Sequence, residues 1–111
     1  MICEPYDIVV VPFPFTDRDA SKRRPALVVS STGFNRGHAQ LVLAMITSTK
    51  SEWPSDVILG GWRDANLSVP CKVRFKLFTL DRTMIIRKLG ILAPGDRQAV
   101  RDALSRWIAI T

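Results

Sequence analysis

Pro25-Ala26-Leu27-Val28-Val29-Ser30 is the stretch from which the fold follows. Together with Leu41-Val42-Leu43-Ala44-Met45-Ile46 it is apolar almost throughout, as central strands covered on both faces are. Working outward, Tyr6–Pro12 is a first strand, ended by the turn-rich segment from Pro12 to Ser21, where two prolines in three residues forbid regular pairing. The segment Ser31–His38, with two glycines, suits a wide hairpin connection. Asp56–Leu59 is a short strand, and Gly60–Leu67 is a single helical turn or an irregular excursion. In Cys71–Leu77 the cations Lys72, Arg74 and Lys76 alternate with Val73, Phe75 and Leu77, the period of a strand with one buried face. Thr83–Leu92 is a further strand with a kink or bulge at Gly90. Pro94–Ile110 is a helix whose apolar positions Val100, Ala103, Leu104, Trp107 and Ile108 recur at three and four. The sum is mainly β with a C-terminal helix, a small barrel or strongly bent sheet in one domain over 1–111.

Charge points to a polyanionic partner. The chain has 16 Lys+Arg against 10 Asp+Glu, a formal net charge of +6 on 111 residues, and nucleic acid is the commonest partner for such a field. Arg24 stands directly before the central strand, after Arg18, Lys22 and Arg23. A guanidinium at a strand start is a planar, permanently charged fork aimed from a firm base, suited to phosphate oxygens, although a basic loop can also be simply solvated. Lys72, Arg74 and Lys76 share a strand face with neighbours roughly 7 Å apart, inside the Debye length, so they repel unless an anion or a structural acid lies across them. The loop aromatics Phe13, Phe15, Trp53 and Trp62 either cap the core or stack on bases.

Several chemistries find no support. The one histidine, His38, cannot form a two-histidine site within the chain, and no carboxylate cluster has metal-binding spacing. Cys3 and Cys71 match no zinc or redox pattern. No metal and no cofactor are expected. The N-terminus lacks the pattern of a secretory signal, and no apolar run is long enough to span a bilayer, so a cytoplasmic location without membrane contact is expected. Arginine and hydroxyl remain. If the strands beginning at Arg24 and ending at Thr47 pair as antiparallel neighbours, those two side chains lie together. Such a pair can grip a phosphodiester and stabilise charge on its non-bridging oxygens. The nucleophile is then one that the substrate brings, which in RNA is the 2′-hydroxyl.

Five segments, taken in order, resemble one family: Tyr6-Asp7-Ile8-Val9, Arg23-Arg24-Pro25-Ala26-Leu27-Val28-Val29, Ala44-Met45-Ile46-Thr47-Ser48, Lys76-Leu77-Phe78-Thr79-Leu80-Asp81-Arg82 and Lys88-Leu89-Gly90-Ile91-Leu92, followed by the final helix. In order and spacing they resemble the MazF/PemK toxins of type II toxin–antitoxin systems, in the PemK-like branch. The resemblance implies an SH3-like barrel, a homodimer, and a sequence-specific, metal-independent endoribonuclease. That enzyme cuts single-stranded RNA to leave 2′,3′-cyclic phosphate and 5′-hydroxyl ends, is neutralised by a cognate antitoxin, and meets operator DNA only through it. It places Arg24 and Thr47 as catalytic residues. Arg18, Lys22, Arg23, Ser48, Trp53, Lys72, Arg74 and Lys76 are the expected RNA-binding residues. The related CcdB toxins share the architecture and act by binding DNA gyrase, so a non-enzymatic inhibitor stands as the alternative, with a catalytically silent RNA-binding regulator as a third reading. The sequence departs from many members at Thr16–Lys22 and at Lys76–Thr79, so no cut-site motif carries over.

Overall fold

The computed structural model describes residues 3–14 and 22–109. One six-stranded antiparallel sheet is built from β1 (Asp7–Phe13), β2 (Lys22–Val28), β3 (Gln40–Thr47), β4 (Val57–Ile58), β5 (Lys72–Asp81) and β6 (Arg87–Ile91), in the order β4-β5-β3-β2-β1-β6. Two helices, α1 (Thr32–His38) and α2 (Pro94–Trp107), complete the fold. The sheet is bent into a half-barrel closed by the C-terminal helix, as the residue pattern implies.

The unbroken apolar runs of β1, β2 and β3 are explained by burial on both faces. Ile8, Leu27, Ala44, Ile46 and Val73 turn into one cluster, joined by Leu92 and by Val100 of α2. Val9, Val11, Ala26, Val28, Leu41 and Leu43 turn into a second, joined by Leu80 and Ile85. Alternate residues of one strand thus serve two cores, which is why no polar alternation shows in the sequence.

Three segments differ from expectation. Ser31–His38 is a helix and not a wide hairpin turn: Ser31 caps it by accepting a hydrogen bond from Phe34 N at 3.2 Å. Buried Asn35 then anchors it, its side-chain nitrogen donating to Cys3 O at 3.0 Å and its oxygen accepting from Ser30 Oγ. The strand expected over Thr83–Leu92 is shorter, because a 3-10 turn occupies Arg82–Met84, capped by Asp81. Pro12 sits inside β1, paired with Arg23, instead of ending it. Ile86 N donates to Val10 O, so the even residues of β1 face β6, and β6 pairs no further along β1 than Val10. The donor that Pro12 lacks therefore points where no ladder runs. The expected irregularity at Gly90 is present: the β1–β6 register shifts beside it, and a Cβ there would meet Ala65 O at 2.4 Å.

Candidate functional site: a groove where the sheet splits

The ladder between β1 and β2 runs on to Phe13 opposite Lys22, and that between β3 and β5 runs on to Thr47 opposite Lys72. Between them, β2 and β3 pair only over Ala26–Val28, ending at Ala26 opposite Met45. Pro25 accounts for the stop. Val29 N donates to Val42 O at 3.0 Å, and hydrogen-bonded positions alternate along an antiparallel pair, so Leu27 and then residue 25 are the next to donate toward β3. Residue 25 is a proline and has no N–H to give Ile46. The two strands separate at that point.

A groove of about 730 Å³ lies in the split. The ends of β2 and β3 contribute Arg23, Arg24, Thr47 and Ser48, so the arginine and the hydroxyl singled out from the sequence border one cavity. Arg24 lies two residues before the last β2–β3 pair on one strand and Thr47 two residues after it on the other, so the two stand on facing sides of the split. The Arg24 guanidinium lies 5.4 Å from the centre of the Phe13 ring, which carries it from beneath. Thr47 Oγ1 accepts a hydrogen bond from Thr49 N at 3.2 Å, leaving its own hydrogen to be donated into the groove. The opposite wall is the excursion after β4, through Asn66, Ser68 and Cys71, with Arg87 and Leu89 of β6. Among the described residues none that lines the groove is acidic.

The excursion is firmly held. Asp96, in the first turn of α2, accepts from Gly60 N at 3.1 Å and Gly61 N at 2.8 Å, and Asn66 donates to Leu89 O at 2.9 Å from a left-handed backbone (φ 65°). Burial pushes the Cys71 thiol up, so it stays protonated beside the groove.

A family model described as PemK-like, MazF-like toxin of type II toxin-antitoxin system matches residues 4–108. The chain belongs to that family. Among solved PemK/MazF-type structures, the MazE-MazF complex from Deinococcus radiodurans in its Form-II crystals aligns with a TM-score of 0.75 at 22% identity, covering 100% of this chain and 99% of that one. An endoribonuclease in complex with its cognate antitoxin from Mycobacterial species aligns at 0.74 with 20% identity over 95% and 91% of the two chains. Mycobacterium tuberculosis toxin MazF-mt6 aligns at 0.69 with 20% identity over 90% and 93%. No curated protein matches in sequence.

The other residues expected to bind RNA differ in their surroundings. Arg18 lies outside the described residues, as do Phe15 and Ile110. Lys22, Arg23, Ser48 and Lys76 are exposed. Lys72 and Arg74 are drawn into structural pairing: Arg74 Nε and Nη2 donate to the two oxygens of Asp56 at 3.1 and 2.9 Å, and Lys72 Nζ lies 3.5 Å from the same carboxylate. Arg74 Nη2 also donates to Ser51 O at 2.9 Å, and its guanidinium stands 4.8 Å from the Trp53 ring centre. The repulsion expected along this strand is relieved at Lys72 and Arg74 by an acid from the loop before β4, and the even alternation expected through Leu77 is broken after Arg74, where the β3–β5 register shifts and Leu77 is left exposed. The Arg74 hydrogen bonds hold the Asp56 carboxyl below the usual carboxylate range, aided by the Trp53 backbone N–H, against the opposing effect of burial. Trp53 remains 41% exposed on that loop, whereas Trp62 packs on the core with Arg63 over its ring.

His38 is not among the groove's lining residues and packs its ring 4.6 Å from Phe34. Among the described residues no three His, Cys, Asp or Glu side chains gather as metal ligands, and no helix is long and apolar enough to cross a membrane. Sequence reasoning missed Arg87, Asn66 and Ser68. Arg87 and Lys88 are adjacent cations of one strand, and nothing in the sequence tells which of them turns to the groove.

Proposed function

We propose that this chain is the toxin of a type II toxin–antitoxin pair and cuts single-stranded RNA within the groove, without a metal ion. The observation that carries the reading is the presence of Arg24 and Thr47 at one basic cavity whose lining, among the described residues, includes neither carboxylate nor imidazole. The names of the solved structures support it: one is an endoribonuclease held with its antitoxin.

The substrate's 2′-hydroxyl attacks the adjacent phosphorus and loses its proton as the new P–O2′ bond forms. The P–O5′ bond breaks, and the departing 5′-oxygen takes up a proton. A 2′,3′-cyclic phosphate and a 5′-hydroxyl result, so atoms balance without added water. Arg24 neutralises charge that builds on the non-bridging oxygens, and Thr47 donates its hydroxyl hydrogen to one of them. Arg23, Lys22, Arg18, Lys76 and Ser48 hold the flanking backbone, and Trp53 offers a stacking face. Lys72 and Arg74 act indirectly, by fixing the loop that carries Trp53. A cognate antitoxin inhibits by covering this groove, and the active form is a homodimer.

Thr47→Val preserves shape and removes the donor, so single-turnover cleavage falls by about 10²-fold or more while RNA affinity changes little. Over pH 5 to 8 the rate of the native protein shows no inflection near 6.5, the ordinary histidine value. Such an inflection, lost in His38→Asn, overturns this assignment of the chemistry.

A further inference from the structure

We propose that Arg87 of β6 is an RNA-positioning residue, gripping a backbone phosphate beside the one that is cut. The inference rests on the ribonuclease reading above and extends it to a side chain on the far wall of the groove. Val10 of β1 is paired on one side with Pro25 and on the other with Arg87, so the three form one row across the sheet. Residues directly opposite one another in antiparallel strands project to the same face, and two strand spacings come to about 9.5 Å. Arg87 therefore stands on the groove side, across β1 from the residue that follows Arg24. One guanidinium cannot serve both as the charge on the reacting phosphate and as the anchor for its neighbour. A second one at the same groove, on the strand across β1, can.

Its surroundings distinguish Arg87 from neighbouring cations outside β2. Lys88, the next residue, is turned the other way and pairs with Asp7 at 3.0 Å, and Arg74 is occupied by Asp56. Arg97 is half-buried over Tyr6. Arg87 is exposed, lines the groove and makes no ion pair among the described residues. Its base is rigid: Leu89 O is held by Asn66, and Gly90 lies so close to Ala65 that no larger residue fits. A charge aimed from a fixed strand into a cavity with no acid among its described lining residues is placed for an anion. Because it meets a phosphate that does not react, it contributes to binding in ground and transition states alike, so its loss appears in KM and not in kcat.

The test is equilibrium binding and single-turnover cleavage of a short mixed-sequence single-stranded RNA across a salt series, with the full chain. Arg87→Ala weakens binding roughly tenfold or more, makes the slope of log K against log salt shallower by about 0.7, and leaves the rate at saturating RNA unchanged. Arg87→Lys restores the slope, and Arg101→Ala, an equal charge loss on α2, changes neither quantity. Binding and slope in Arg87→Ala equal to those of the native protein overturn the inference while the ribonuclease reading stands. A fall in the saturated rate makes Arg87 part of the reacting centre and overturns the positioning role. A native protein that neither binds nor cuts the RNA overturns both.

Discussion

Asp56 is held ionised by the guanidinium it pairs with, which ties the loop carrying Trp53 to pH in one direction. A carboxyl whose folded value lies below its unfolded one, about 3.9, contributes stability that is complete above the unfolded value and is lost as pH falls through the folded value. Trp53 fluorescence, read in a Trp62→Phe, Trp107→Phe background, therefore stays constant from neutrality down to about pH 4 and changes only below it. Asp56→Asn shows the low-pH signal already at pH 7, because Arg74 and Lys72 then face each other with no carboxylate between them. A transition of the native protein centred well above pH 4 contradicts the pairing. At the same scale, Arg24 and Thr47 could be singled out from the sequence because each flanks an unbroken apolar run that reads as a central strand. The sequence left the fate of Lys72 and Arg74 open: their partner Asp56 lies 18 residues before Arg74, on a loop whose path no local pattern encodes.

The strands explain where the groove is. Pro25 faces β3 at a position where the ladder needs a donor, and Pro12 faces away from any ladder, so two prolines in neighbouring strands have opposite consequences. Pro25→Ala supplies the missing N–H, and the β2–β3 ladder extends to Ile46. Amide exchange then shows a newly protected N–H at residue 25, while RNA affinity falls as the groove narrows. A freely exchanging amide at that position, with unchanged RNA affinity, removes the proline from this account. The strands β1 to β3 were legible because burial on two faces leaves unbroken apolar runs. Helix α1 was not: its seven residues include two glycines, and a serine cap with the tertiary hold of Asn35 outweighs that local preference for a turn. The C-terminal helix was legible by its period, and its observed end at Trp107 falls where Ile108 takes up extended backbone.

For the molecule as a whole, net charge and open groove act together. The +6 charge draws polyanions from a distance, and the split in the sheet gives them a cavity bordered by three arginines. The apolar residues Trp107, Ile91 and Ile58 are 45%, 50% and 79% exposed, and the homodimer proposed above is tested by mass. Light scattering at micromolar concentration is expected to give twice the chain mass, and a monomeric mass rules out the homodimer. Fold alone leaves ribonuclease and gyrase binder open, since one architecture hosts both kinds of action; the Arg24 and Thr47 pair at one groove is the proposed discriminator, because a binder has no need of it. The decisive measurement is incubation of the purified protein with long mixed-sequence single-stranded RNA in excess EDTA, with Arg24→Ala in parallel and the fragment ends mapped. The account predicts discrete cuts bearing 5′-hydroxyl ends, and in the folded variant a loss of roughly 10²- to 10³-fold or more, equivalent to about 2.7 to 4 kcal/mol of barrier. Cleavage by folded Arg24→Ala at the native rate, or no cleavage by the native protein until a metal is restored, contradicts it.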